Sequence, residues 1–162
     1  MVKVLLVTTG QNTVRHTLEA MERIDLCVVD MNDYKLFTKE YFVADLRDIL
    51  KAFAAQLLLT WRCPYILPSD IFTLPIYGAL NLHPSLLPAY PGVNPWDAIY
   101  RNGEIVTGVT LHKITMQADD GEVICQQEFS ILGIAYEEAR KISDSVAGTM
   151  VSGFMKTLCS NV

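Results

Sequence analysis

Val2-Lys3-Val4-Leu5-Leu6-Val7-Thr8 barely alternates between apolar and polar residues, the pattern of a strand buried on both faces. Gly10 breaks it, and Asn12 or Thr13 is suited to cap a helix. In that helix Val14, Leu18 and Met21 fall on one face, while Arg15, Glu19, Glu22 and Arg23 fall on the others. Leu26-Cys27-Val28-Val29 is a second apolar run, ended by Asp30. Strand, helix and strand with short connections form the opening of a doubly wound α/β fold with a mostly parallel sheet.

The same reading extends along the chain. Residues 31–45 carry little signal, with a short strand expected at Tyr41–Ala44, and Leu46, Ile49, Leu50 and Phe53 form one face of a helix. Leu57–Thr60 and Ala79–His83 read as buried strands, and Ser69–Leu74 as one or two helical turns stopped by Pro75. Pro95 opens a helix to about Arg101. Strands follow at Thr107–Lys113 and Glu122–Phe129, separated by the turn Asp119-Asp120-Gly121. A long amphipathic helix spans Tyr136–Leu158, with Ala139, Ile142, Val146, Met150 and Phe154 expected to face inward.

Composition narrows the function. The 162 residues, 51 % hydrophobic and 19 % charged, suit one domain with a real core, so a single domain over 1–162 is expected. A net charge of −5 disfavours nucleic acid as a partner, because phosphate-gripping proteins are normally basic. The four cysteines form no Cys-x-x-Cys pair, which points to reduced thiols in a cytoplasmic protein. There is neither a signal peptide nor a run of about 20 apolar residues, so no membrane association is expected.

All seven prolines fall between Pro64 and Pro95, and four of them lie in Pro84–Pro95. Proline neither continues a helix nor donates to a β-ladder, so this segment is a long loop; Leu86, Leu87, Tyr90 and Trp96 make it too apolar for disorder. It follows Asn81-Leu82-His83 at a strand's carboxyl end, where open α/β sheets bind ligands. Residues two apart on a strand share a face, so Asn81 and His83 project together. An amide donor can stabilise an oxyanion, and an imidazole moves protons near neutral pH. Asp119 supplies a carboxylate to raise the pKa of the histidine and fix its tautomer. Anchoring hydrogen bonds in a loop are the plainer reading of such an Asn-x-His pair. The spacing of His83, His112 and Asp119 matches no strong metal motif, and no metal is expected. Thr8-Thr9-Gly10-Gln11-Asn12 lacks a phosphate-loop signature and suggests an anion site only weakly.

The run Asn81-Leu82-His83-Pro84-Ser85-Leu86-Leu87-Pro88-Ala89-Tyr90-Pro91-Gly92 closely resembles the signature of the 10-formyltetrahydrofolate-dependent formyltransferases. Gly103-Glu104, Gly108-Val109-Thr110-Leu111-His112 and Asp119-Asp120-Gly121-Glu122-Val123-Ile124 continue the likeness. It is strong from Leu57 onward and loose over the first strand and helix. The resemblance implies a Rossmann-like sheet and a catalytic trio of Asn81, His83 and Asp119. Protonated His83, held charged by Asp119, would join Asn81 in stabilising the oxyanion, with Ser85 bracing the loop. It further implies a folate cleft built from Trp61, Arg62, Tyr65, Ile66 and Leu67 and from Met116, Gln117 and Ala118, narrowed here by bulky Trp61 and by Cys63-Pro64. Gly10, Gln11, Asn12, Thr13 and His112 are the implied substrate contacts.

The family resemblance implies formyl transfer from 10-formyltetrahydrofolate to the primary amine of a small molecule, of the glycinamide ribonucleotide or amino-sugar kind. The alternatives are a methionyl-tRNA formyltransferase-like catalytic domain and a relative that binds or hydrolyses the folate without an amine acceptor. The segment between Asp30 and Leu57 is short for the family's strand-plus-helix complement, so a shortened N-terminal half is expected. A homodimer is compatible with the partly apolar last helix.

Overall fold

The computed structural model describes residues 1–162. Its elements are β1 (Val2–Thr8), α1 (Thr13–Glu19), β2 (Ile24–Asp30), α2 (Lys39–Phe53), β3 (Leu57–Trp61), α3 (Ser69–Phe72), β4 (Ala79–His83), α4 (Pro95–Arg101), β5 (Val106–Lys113), β6 (Val123–Ser130) and α5 (Tyr136–Ser160). The six strands form one sheet in the order β2-β1-β3-β4-β5-β6. The first four run parallel; β5 lies antiparallel to β4, and β6 antiparallel to β5. The fold is the mostly parallel, Rossmann-like α/β arrangement expected.

The buried strands owe their position to helices on both faces. On one face Val4, Leu6, Leu59, Trp61, Leu80 and Leu82 pack against Val14, Leu18, Ala147, Val151 and Met155 of α1 and α5. On the other, Leu5, Val7, Leu58 and Ala79 pack against Phe42, Leu46, Leu50 and Ile71 of α2 and α3. Each fully buried leucine of this kind contributes about 1.5–3 kcal/mol.

Two local expectations are corrected. The strand expected at Tyr41–Ala44 is the first half of α2. The hydroxyl of Thr38 caps that helix by accepting from the Tyr41 amide, and Phe42, Leu46 and Leu50 give it an apolar stripe every fourth residue. Packing of that stripe outweighs the β-propensity of Tyr-Phe-Val. Between Asp30 and Leu57 there is a 3-10 turn at Met31–Tyr34 and one helix, with no strand.

The second correction concerns α5, whose most buried line is Ala139, Ser143, Ala147, Val151, Met155 and Cys159. Ile142, Val146, Met150 and Phe154 are half-buried on its flank, while Ala139 is inward as expected. The reason is the close crossing of α1 and α5. A Cβ on Gly148 would stand 2.6 Å from Thr13 Cγ2, so small residues occupy the crossing and the larger ones turn aside.

Glycine is also required at Gly121, where a Cβ would collide with the Lys113 carbonyl at the end of β5. Gly121→Ala is expected to lower stability by about 1–3 kcal/mol through this overpacking. Urea unfolding monitored by circular dichroism measures it, and an unchanged midpoint would contradict the close approach.

Candidate active site

β4 and β5 are the first antiparallel neighbours in the sheet, and their register sets Asn81 opposite His112 and His83 opposite Thr110. Asn81 and His83 share a strand face, as the spacing of two requires. The turn between β5 and β6 brings Asp119 to the same place, in a left-handed conformation at φ 55°. Asp119 Oδ1 lies 3.5 Å from His83 Nδ1 and 3.5 Å from His112 Nε2. Its other oxygen accepts the Gly92 amide at 2.8 Å. The geometry therefore joins Asn81, His83, His112 and Asp119 into one cluster.

The proline-rich loop is ordered by polar contacts from β5 and β6. The hydroxyl of buried Thr110 donates to the Ser85 carbonyl at 2.7 Å and accepts the Leu87 amide at 3.1 Å. Gln126 Nε2 donates to the Leu87 carbonyl at 2.8 Å. The Ser85 hydroxyl donates to the Ala89 carbonyl at 2.7 Å, within the loop itself. The loop then returns the Tyr90 carbonyl to His83 Nε2 at 2.9 Å. A carbonyl only accepts, so Nε2 carries the proton and the neutral ring keeps its lone pair on Nδ1, facing Asp119.

Burial is the largest influence on His83 and favours the neutral ring. The Tyr90 carbonyl and Asp119 pull the other way, His112 adds to the lowering, and the pKa ends below its ordinary value. The expectation of a charged His83 is thereby corrected: Asp119 does raise its affinity for a proton, but desolvation of a 4 % exposed ring outweighs that attraction. Burial pushes the Asp119 carboxyl upward, yet a bond from His112 Nε2 when that ring is charged, the Gly92 amide and the attraction of any proton held on either histidine keep it below the usual range, as a carboxylate.

Asn81 and His112 set each other's orientation. His112 Nδ1 donates to the Lys113 carbonyl at 2.9 Å, so a neutral ring offers a lone pair at Nε2 to the Asn81 amide at 3.1 Å. With a charged ring the amide is turned over: its oxygen accepts from Nε2, and its nitrogen donates to the Thr60 hydroxyl at 2.6 Å.

These groups open into a cavity of about 490 Å³ that straddles the carboxyl edge of the sheet. Trp61, Arg62, Tyr65, Ile66, Leu67, Gln117 and Ala118 line it, as does His112. Met116 does not, and its side chain is exposed. Trp61 lines the cavity and is also packed in the core with residues of α1 and α5. Cys63 lines the wall with its thiol pushed up to about 11, chiefly by burial, which keeps it protonated and a poor nucleophile. Gly10, Gln11, Asn12 and Thr13 lie outside the cavity, and Thr9 reaches it.

Sequence reasoning missed the Tyr90 carbonyl and the Gly92 amide, since backbone groups leave no sequence signal. It also missed Arg140 and Ser143, which reach the cavity from α5. An alternative inward line on that helix, one residue out of step with the large apolar one, was the available clue.

A doubly wound sheet with a cavity at its carboxyl edge, beside the change from parallel to antiparallel pairing, defines an α/β binding fold. Within that class the chain belongs to the formyl transferase family, whose sequence model matches residues 1–158. It is 33 % identical over 88 residues to a methionyl-tRNA formyltransferase of Borrelia recurrentis, a match covering 54 % of this chain and 28 % of that protein. It is 38 % identical over 84 residues to the bifunctional polymyxin resistance protein ArnA of Wigglesworthia glossinidia brevipalpis, covering 52 % of this chain and 13 % of that one. The matched segments thus span under a third of these curated relatives.

Solved structures share the fold at low identity. Glycinamide ribonucleotide transformylase 1 from Symbiobacterium toebii superposes with a TM-score of 0.80 at 20 % identity, covering 99 % of this chain and 89 % of that one. A formyltetrahydrofolate deformylase from Pseudomonas syringae gives 0.84 at 17 %, covering 99 % and 62 %. No helix is long and apolar enough to cross a membrane.

The His83 environment predicts a pH dependence of stability. Its folded pKa lies below its unfolded one, so the unfolded chain binds more protons just below pH 6.5. The stabilisation is full above that pH and is lost as pH falls through the window beneath it. Thermal unfolding midpoints should drop from pH 7.5 to 5.5, and His83→Gln should flatten the drop; an identical slope in the variant contradicts the assignment.

Proposed function

We propose that residues 1–162 act as one catalytic domain that moves a formyl group from 10-formyltetrahydrofolate to a primary amine of a small-molecule acceptor. The observation that carries this reading is the cluster itself: a neutral His83 with its lone pair aimed toward an ionised Asp119, and an Asn81 amide beside it, all lining one cavity. No protein nucleophile is needed, because the amine attacks the formyl carbon directly.

The new carbon–nitrogen bond forms as the carbonyl π pair moves onto oxygen. The Asn81 amide has two N–H donors; with neutral His112 one is spent on Nε2 and the other serves the oxyanion. The attacking nitrogen must lose a proton, and the Nδ1 lone pair of His83 receives it. The imidazolium so formed is stabilised by Asp119, whose charge stands 3.5 Å away. When the oxyanion collapses, the bond to the folate nitrogen breaks and that nitrogen gains a proton, returned by His83. A low-pKa imidazole suits both steps, since it is free to accept and quick to return the proton.

The folate is assigned to the wall formed by Arg62, Tyr65, Ile66, Leu67, Gln117 and Ala118, which combines backbone polar groups with apolar side chains. Trp61 lines the same wall while its ring packs in the core.

Single-turnover transfer of labelled formyl to an amine panel tests the reading. Asn81→Ala is expected to slow transfer by about 10²–10³. His83→Ala and Asp119→Ala are expected to slow it by about 10²–10⁴. Folate binding should persist in all three. A wild type that binds the folate and formylates no amine, or His83→Ala at the wild-type rate, would contradict the proposal.

A further inference from the structure

At the entry to α1, Gly10 and Thr13 donate to the protein's own carboxylates. The Gly10 amide donates to both oxygens of Asp30 at 3.0 and 3.1 Å. The amide and hydroxyl of Thr13 donate to Asp144 Oδ2 at 2.9 and 3.0 Å. The Arg15 amide donates to Asn12 Oδ1 at 3.0 Å, and Asn12 Nδ2 donates to the Thr8 hydroxyl at 2.8 Å. Asp30 and Asp144 thus already occupy the Gly10 and Thr13 donors.

The cavity wall just beyond Asp144 has the opposite character. Arg140, one turn earlier on α5, lines the cavity with its guanidinium 5.9 Å from the Tyr136 ring centre. Its carboxylate neighbour, Glu137, is 3.5 Å away and largely exposed, so solvent screens the pair. Arg62 lines the same cavity, 5.5 Å over the Trp61 ring and 3.3 Å from Asp144 Oδ1, which it shares with the Trp61 indole. Arg62 is held left-handed at φ 62°, a conformation that non-glycine residues adopt only under constraint.

Ser143 follows Arg140 by three residues on α5. It is 1 % exposed, it lines the cavity, and its hydroxyl is the buried side-chain polar atom left without a hydrogen-bond partner. Native interiors satisfy such groups, so an orphaned hydroxyl in a cavity wall calls for a ligand atom. Two guanidinium forks and a hydroxyl donor are the chemistry that recognises a carboxylate or a phosphate.

We infer that Arg140, Ser143 and Arg62 form an anion subsite for the acceptor, so that the acceptor is a primary amine carrying a carboxylate or phosphate, held along α5 and not at the loop before α1. The acceptor role of this subsite rests on the formyl-transfer reading; the anion site itself does not. Arg62 stands at the junction with the folate wall, whose residues Tyr65 and Leu67 pack with the α2 face, on the other side of the sheet edge from α5. An amine anchored on the α5 side would reach across the edge toward Asn81 and His83.

Isothermal titration with inorganic phosphate and with acetate, in a chloride buffer, tests the site directly. Wild type should bind at least one anion saturably, and the tighter probe identifies the anion as phosphate or carboxylate. Arg140→Gln should weaken binding at least about tenfold, and Ser143→Ala by about threefold. Lys141→Gln removes an exposed charge from the same helix, outside the cavity, and should change nothing. Circular dichroism and melting curves establish that each variant is folded. Absence of saturable binding, or Arg140→Gln within twofold of wild type, overturns the subsite.

Transfer to 2-aminoethyl phosphate against ethanolamine, and to glycine against glycinamide, then tests its role. The anionic member of one pair should lead at least about tenfold in kcat/KM, and the lead should vanish in Arg140→Gln. Equal transfer to anionic and neutral amines overturns the acceptor role. No transfer to any amine, with phosphate or acetate still bound through Arg140, overturns the formyl-transfer reading and leaves the anion subsite standing.

Discussion

The Asp144 carboxylate ties three distant segments at the carboxyl edge of the sheet. One oxygen accepts both donors of Thr13 at the start of α1; the other accepts the Trp61 indole at 2.8 Å and faces Arg62 at the end of β3. Asp144 itself rides on α5, whose small residues permit the close crossing with α1. One charge therefore fixes where the last helix sits on the sheet, and turns Trp61 into the core. The space above the edge, with Trp61 packed at its wall, stays open as a cavity. Removing a partly buried carboxylate with this many partners would strand the indole N–H, the kind of loss that destabilises by roughly 1–3 kcal/mol.

The reactive half of the cavity follows from the change in strand direction between β4 and β5. Antiparallel register puts His112 beside Asn81, and the following turn folds Asp119 back over both histidines. Three non-glycine residues at this rim, Arg62, Tyr90 and Asp119, have positive φ. The backbone there is held by hydrogen bonds from Thr110, Gln126 and Gly92, so the rim is set before any ligand arrives. Burial then decides the charge on His83 against the pull of Asp119. Desolvation prevails because the ring is enclosed on the loop side as well as by the sheet.

Much of this was legible in the sequence, for identifiable reasons. Apolar runs such as Val2–Val7 and Leu57–Thr60 are unambiguous as central strands. The pairing of Asn81 with His83 on one strand face follows from the pleat, and the turn glycine explains why Asp119 is followed by Asp120-Gly121. What was illegible depends on tertiary packing. α2 begins where β-formers crowd, because its Thr38 cap and every-fourth-residue stripe matter more than propensity. The inward line of α5 is its small residues, because α1 crosses closely. The neutrality of His83 depends on how deeply it is buried, and the Asp144 tie joins residues 131 and 83 positions apart.

The account depends most on His83 being a neutral base with its proton on Nε2 and its lone pair directed at Asp119. Nitrogen-15 spectra of the imidazoles across pH 5 to 8 report tautomer and charge together. At pH 7 His83 should show a protonated Nε2 and an unprotonated Nδ1, titrating below its ordinary value, and lower still in Asp119→Asn, where the attraction for the proton is gone. A doubly protonated His83 at pH 7, or a proton resting on Nδ1 of a neutral ring, would contradict it.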